Sequence, residues 1–359
     1  MAFHRQGNPF FRHGDTTRWI ALDEKDRTVG RIAAFYDQAR DAGDQVKTGG
    51  CGFFESIDDQ MAAHLLFDAA RDWLREKGYD AMIGPVNFGT NDTNWGCLVH
   101  GFVPQGVGMT YNLPYYRNLF ESYGFRLYYR QFSFHMDLDK PFPERFWKIA
   151  EWIRQREGYT FKHFDPAQTE RFVEDTVTIY NQAWKPLKED FTPMEPASLF
   201  DELKKIRPIM DPELIWFAYY KHEPIAFFLF LPDANQIFRH LNGKLHLINK
   251  MRFLYYKKLN CMTRIRGMVA GVVPKFQNSG VESGIFWQLK QVMERKPHYK
   301  QFELSWVGDF NPKMISLYMA TGAYHAKTHH TYKYLFDRDR PFKRYMEEAV
   351  DPRKLPDHA

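Results

Sequence analysis

Apolar positions follow two rhythms along this chain, and the rhythms succeed each other in the same order twice. Residues 29–35 and 50–54 read as strands. Asp58 or Asp59 can then cap a helix whose apolar positions include Met61, Leu65, Ala69 and Trp73, with Ala62, Leu66, Ala70 and Leu74 beside them. That i, i+4 spacing lays an apolar stripe along one side. Gly78 sits where such a helix stops. A short strand at 81–86, a helix at 113–123 closed by Gly124, and a strand at 126–136 complete the first round. The second round opens on a hairpin, 214–220 and 225–231, around Lys221-His222-Glu223-Pro224. A strand at 264–273, a helix at 280–293, a strand at 301–307, a helix at 312–320 closed by Gly322 and a strand at 328–336 follow. An amphipathic helix over 141–159 joins the two rounds.

The sharpest chemical signal is Val272-Val273-Pro274-Lys275-Phe276-Gln277-Asn278-Ser279-Gly280-Val281-Glu282-Ser283-Gly284. It is a strand, a turn and a helix start. A helix N-terminus presents unpaired backbone N–H groups and a partial positive charge. Small residues in the turn let a phosphate approach that backbone closely. An ordinary strand-to-helix connection has the same outline, so the context decides. Here a strand follows, and then Asn311-Pro312-Lys313-Met314-Ile315-Ser316-Leu317-Tyr318-Met319-Ala320-Thr321-Gly322-Ala323.

In this order the two segments resemble the GNAT (Gcn5-related N-acetyltransferase) superfamily. Gln277-x-x-Gly280-x-Glu282 looks like its pyrophosphate loop, Q/R-x-x-G-x-G/A, with Glu282 in place of Gly or Ala. Asn311-x-x-Met314-x-x-Leu317-Tyr318-x-x-x-Gly322-Ala323 is similar to its N-x-x-A-x-x-L-Y-x-x-x-G-F, with Met314 for Ala and Ala323 for the aromatic. This resemblance covers about 170–337. Upstream, the segment from Tyr111 to Phe125 resembles the second motif again, ending in Gly124-Phe125. Its first motif is missing: Glu55, Asp58 and Asp59 stand where a phosphate loop belongs, and carboxylates repel pyrophosphate. Phe120, without a hydroxyl, matches the position of Tyr318. The whole chain resembles bacterial tandem-GNAT proteins, with their Gly-Pro-Val-Asn and Tyr-Gly-Phe signatures. Those families carry more chain before Asn8-Pro9-Phe10-Phe11, so the first helix of the N-terminal unit is expected to be absent.

The resemblance implies an α/β fold of two tandem GNAT-like mixed sheets flanked by helices. It places a degenerate GNAT-like domain at 1–138, the active domain at 139–338 and a tail at 339–359. The implied activity is transfer of an acyl group, acetyl being the expectation, from acetyl-CoA or another acyl-CoA to a small-molecule or peptide amine. Backbone near 271–273, Val272 and Val273 included, would pair with pantetheine and hold the oxyanion. Gln277, Asn278, Ser279, Gly280, Val281 and Glu282 would take the pyrophosphate. Asn311 would fix the pantetheine or the reacting amide region. Tyr318 would protonate the leaving thiolate, and Glu303, directly or through water, would relieve the incoming ammonium of its proton. Strand alternation puts Glu303 on the face of Ser305; Asp309 is a weaker candidate base. Trp184, Tyr180 and Asn181 would lie on the helix lining the acceptor cleft, followed by a lid loop at 191–195. The rival readings are an aminoacyl-tRNA-dependent transferase on the same doubled fold and a non-catalytic acyl-CoA sensor or scaffold.

Composition narrows the setting. The 359 residues are 44% hydrophobic and 26% charged, enough for a sizeable core and against global disorder. The three cysteines, Cys51, Cys97 and Cys261, are far apart and give neither a disulfide framework nor a zinc site. His329 and His330 are adjacent on a strand, a poor metal pair, so no metal is expected. The start has no apolar core of a signal peptide, and the longest apolar run, about 225–231, is too short to span a bilayer. A cytoplasmic protein without a membrane partner is the expectation. The net charge of +5 is mild, but 234–281 holds no Asp or Glu and nine Lys or Arg. Such a stretch attracts a polyanion. Coenzyme A qualifies, and so does a tRNA acceptor arm, since Phe253, Tyr255 and Tyr256 interleave with the basic residues.

Overall fold

The helix beginning at Gln60 forms as its capping residue dictates: Asp59 accepts the N–H of Ala62 at 2.8 Å, and Gly78, at φ +81°, ends the run. Its buried stripe is Ala63, Leu66, Phe67, Ala70 and Leu74, whereas Met61 and Leu65 are 74% and 61% exposed. The stripe expected through Met61 and Leu65 is therefore rotated, and Phe67 at its centre sets the direction.

The computed structural model describes residues 3–40, 46–88, 90–141, 143–185, 193–346, 350, 352 and 355. Its strands are β1 (Gly14–Leu22), β2 (Thr28–Asp37), β3 (Thr48–Ser56), β4 (Ala81–Gly84), β5 (Val86–Asn87), β6 (Thr90–Trp95), β7 (Cys97–His100), β8 (Arg126–Asp137), β9 (Tyr159–His163), β10 (Ile215–Tyr220), β11 (Glu223–Pro232), β12 (Arg264–Val272), β13 (Gln301–Glu303), β14 (Val307–Gly308) and β15 (Tyr324–Leu335). The helices are α1 (Gln60–Glu76), α2 (Tyr116–Tyr123), α3 (Glu144–Gln155), α4 (Thr169–Trp184), α5 (Pro196–Ile206), α6 (Asn235–Phe238), α7 (Leu247–Lys258), α8 (Val281–Arg295) and α9 (Pro312–Ala320). Mixed sheets with helices packed on them make this an α/β fold.

The chain divides into two compact units. Unit 1 is Met1–Ser133, Trp306–Lys313 and Ala326–Leu355; unit 2 is Phe134–Ser305, Met314–His325 and Pro356–Ala359. The division passes through β8 and β15.

In unit 1, β1, β2 and β3 are antiparallel neighbours, and β4 lies parallel to β3 over 48–50 and 81–83. β15 closes the row against β4. The core holds Leu66, Phe67, Leu74, Met82, Phe120 and Tyr332. The strand expected at 81–86 is two strands, because Pro85 has no N–H for a ladder.

In unit 2, β9, β10, β11 and β12 are antiparallel neighbours, β13 lies parallel to β12, and the end of β8 pairs with β13. The hairpin turn between β10 and β11 is tighter than four residues. Lys221 and His222 alone make it, both at positive φ (48° and 73°), and the register slips at Ala218/Tyr219 to admit Pro224. The strand expected at 301–307 also breaks. β13 ends at Glu303, where its pairing with β12 stops, and the chain pairs with β8 again only in unit 1, where β14 lies against Phe132 and Gln131.

Candidate active site

On one edge β12 is paired almost throughout, from Ala226↔Val272 to Pro232↔Ile265 with β11. On the other edge β13 accompanies it only from Arg264 to Arg266. Among the described residues no strand is paired to that edge beyond Arg266. The parting begins at Gly267, where an added Cβ would sit 3.1 Å from the Ser305 nitrogen. Farther along, a Cβ on Gly271 would meet the Trp184 ring at 2.5 Å, so only glycine lets that indole lie on the strand. Trp184 in turn stacks on Tyr180 at 4.5 Å, one turn back along α4. Asn181 on the same helix holds the segment at Met194 by accepting its N–H at 2.8 Å. Of the expected lid at 191–195, residues 191 and 192 lie outside the described residues.

The free edge leads into the loop before α8. Asn278 and Gly280 both adopt positive φ (62° and 86°). Gly280 is the N-cap of α8 and supplies no side chain to the first-turn amides. Its own Cβ would strike Ile149 of α3 at 2.9 Å. Gln277 donates to the Val272 carbonyl at 3.3 Å, and Ser279 donates to Phe276 at 2.6 Å. Glu282 is partly buried. Burial pushes its carboxyl above the usual range, while a hydrogen bond from its own backbone N–H opposes this.

Tyr318 is buried on α9. Its hydroxyl bonds the side chain of Ser305, and its ring meets Phe134 edge-on at 5.6 Å. Burial drives the phenol above its ordinary value, so the proton is firmly retained. Tyr318, Ser305 and Gly267 thus meet where β12 and β13 part.

Glu303 is fully buried in a different company. It lies 3.4 Å from His135 Nε2 and 3.7 Å from Arg264 Nε. Arg264 also donates through Nε and Nη2 to Asp233, at 2.9 and 2.6 Å. Arg266, Glu303 and His135 are in register across β12, β13 and β8. Burial pulls Arg266 down, and the carboxylates of Glu303 and Asp233 pull it back up. Phe134 and His135 are consecutive on one strand, so they point to opposite faces. Tyr318 therefore approaches from one face and Glu303 from the other. The expected sharing of a face by Glu303 and Ser305 fails, because the strand ends at Glu303 and the Ser305 hydroxyl turns to Tyr318.

Asn311 and Asp309 belong to unit 1. The Asn311 N–H donates to Gly308 at 2.9 Å. Asp309 is buried and ion-paired to Arg344, with Arg130 at 3.6 Å; burial holds its carboxyl above the usual range. His330 is pushed down to about 3 by burial and bonds the Tyr332 hydroxyl at 3.2 Å. Among the described residues no group of three His, Cys, Asp or Glu could hold a metal. No helix of the described residues is long and apolar enough to cross a membrane.

Sequence reading missed Arg264, Arg266, Asp233 and His135 as neighbours of Glu303. The available signal was charge at alternate positions 264 and 266 of an otherwise apolar strand.

Unit 1 offers an instructive contrast. There β3 also outruns its parallel partner, but the chain itself fills the edge. A Cβ on Gly52 would fall 1.9 Å from the Val86 carbonyl, and Asn87 Oδ1 accepts the Phe53 N–H at 2.8 Å. Asp59 caps the following helix, Tyr115 donates to the Ser56 carbonyl at 2.8 Å, and the Ser56 N–H donates to the Tyr116 hydroxyl at 3.2 Å. The edge that has no strand partner among the described residues of unit 2 is occupied here.

No family model matches the sequence. The chain is 30% identical over 334 residues to a bacterial ceramide synthase of Caulobacter vibrioides, covering 91% of this chain and 85% of that protein. It is 26% identical over 337 residues to the protein YghO of Escherichia coli K12, covering 91% and 84%. Two solved structures share the fold. A GCN5-related N-acetyltransferase from Sphaerobacter thermophilus matches at TM-score 0.50 and 12% identity, over 95% of this chain and 85% of that one. A tandem GNAT protein from the clavulanic acid biosynthesis pathway, solved without AcCoA, matches at TM-score 0.53 and 11% identity, over 92% and 85%.

Proposed function

This chain belongs to the family of the bacterial ceramide synthase, on a tandem GNAT fold, and from that premise we propose that it is an N-acyltransferase moving a fatty acyl group from a coenzyme A thioester to a long-chain amine. A ceramide is a fatty amide of a long-chain amino alcohol, so the relative's name points to a longer acyl group than acetyl. The carrying observation is the difference between the two parallel strand pairs: beyond Arg266 the edge of β12 has no strand partner among the described residues, beside a helix start without a capping side chain, while the edge of β3 is filled.

In this reading the backbone of 271–273, Val272 and Val273 included, pairs with the pantetheine arm. The loop from Gln277 through Asn278, Ser279, Gly280 and Val281 to Glu282 holds the pyrophosphate on the α8 amides. Once the ammonium has given up one proton, the amine nitrogen attacks the thioester carbonyl carbon, the C–S bond breaks, the nitrogen releases its second proton to solvent as the amide forms, and the thiol leaves with a proton from Tyr318, which solvent replaces. Tyr318, its proton retained and its hydroxyl fixed by Ser305, donates to the departing sulfur. Glu303, with His135 beside it, takes the ammonium proton on the opposite face. That face also carries the apolar Trp184 and Tyr180, a surface for the hydrocarbon of a long-chain acceptor.

The experiment is amide hydrogen exchange on the full chain, with and without a fatty acyl-CoA. Protection is expected at 267–283 and not at 50–60. Protection confined to 50–60, or none at either place, refutes the assignment.

A further inference from the structure

β11 and β12 are antiparallel neighbours, and about 2–5 residues suffice to connect such a pair. Here residues 233–263 intervene and carry α6 and α7. α7 has two apolar sides. Phe253 packs on Phe238 at 5.6 Å, and Asn249 donates to the carbonyls of Leu241 and Lys244, both at 2.8 Å; these hold the helix down. The opposite side shows Leu247, Ile248, Met251, Leu254, Tyr255 and, just beyond the helix, Leu259, each between 54% and 74% exposed. At 3.6 residues per turn they share an arc of about 140°, with Lys250 on one margin and Arg252 on the other. Lys258 falls inside the same arc at the last turn of the helix, where its long stem lets the ammonium reach past the apolar side chains, Lys244 is exposed just before the helix, and 234–281 has no carboxylate side chain to oppose them.

We propose that α7 lies in the surface of an anionic lipid bilayer, its exposed apolar side among the acyl chains and its Lys and Arg margins on the lipid phosphates. An apolar face with basic margins is the pattern of a helix that lies in the interface plane rather than spanning it. The alternatives fit less well. RNA rewards phosphate contacts and stacking aromatics, and this face is chiefly aliphatic, with Tyr255 its one aromatic in the exposed set. A second copy docked on this face would crowd its own Lys250, Arg252 and Lys258 onto the same small surface, like charges with no carboxylate of 234–281 to pair them. The inference stands on this surface and does not depend on the acyl-transfer reading.

Vesicle flotation of the full chain tests it, with phosphatidylcholine vesicles with and without about 30% phosphatidylglycerol. The chain should float with the anionic vesicles at low salt. At least about tenfold less should float with neutral vesicles, and likewise for the Ile248→Glu, Leu254→Glu pair or the Arg252→Glu, Lys258→Glu pair. All four side chains are exposed, so circular dichroism melting should be unchanged. Absence of flotation with anionic vesicles, or flotation that both pairs leave intact, overturns the proposal. So does RNA binding by this face without vesicle binding, or a dimer that the Ile248→Glu, Leu254→Glu pair dissociates.

Discussion

Tyr318→Phe lowers kcat at least about tenfold while acyl-CoA binding holds. The phenylalanine keeps the ring against Phe134 and removes only the hydroxyl that bonds Ser305. No large side chain is lost from the core, so the melting temperature moves little. Burial places the phenol well above its ordinary value, which suits a donor rather than a base at neutral pH. A thiolate forming in the same dry corner is itself made more basic by desolvation, which restores the drive for proton transfer. Single-turnover kinetics with saturating acceptor isolates the chemical step. An unchanged kcat removes Tyr318 from the mechanism.

Asp233→Ala destabilises unit 2 by about 3–5 kcal/mol, the cost of leaving a buried guanidinium without its partner. Arg264 is 7% exposed and Asp233 fully buried, so water cannot replace the lost carboxylate. The two bonds at 2.6 and 2.9 Å both end on Asp233 Oδ2. Arg264 also lies 3.7 Å from Glu303, so the change disturbs the candidate base as well. Urea unfolding followed by tryptophan fluorescence reads the loss. Replacing both partners, Asp233→Leu with Arg264→Met, should recover most of it, because a buried pair exchanged for apolar groups costs little. A single substitution as mild as the double one would show that the ion cluster is not what holds these strands.

The order strand, helix, strand, helix, strand was legible twice because each helix is announced by a cap or a closing glycine: Asp59 and Gly78, Gly124, Gly280 and Gly322. The likeness of Gln277 to Glu282 and of Asn311 to Ala323 to two known motifs then located the corner before α8. Other parts were hidden for physical reasons. β1 exposes Ile20 and Leu22, so its apolar positions do not sort cleanly by face. α7 is apolar on two sides with charge between them, and a one-stripe test misses such a helix. The end of β13 at Glu303 follows from the loss of its β12 neighbour while β8 stays alongside, which no local pattern announces. That break carried Ser305 to Tyr318. Likewise, the Gly84-Pro85-Val86-Asn87 signature is visible in the sequence, but its use of Val86 and Asn87 to fill the edge of β3 emerges only when distant strands are brought together.

The transfer reaction itself gives the most direct measurement. The full chain is mixed with a fatty acyl-CoA and a long-chain amino alcohol, the amide is counted by mass spectrometry and the freed thiol by a thiol reagent. One amide for each thiol is the predicted outcome. Thiol released without amide, or thioester bound and never consumed, contradicts it.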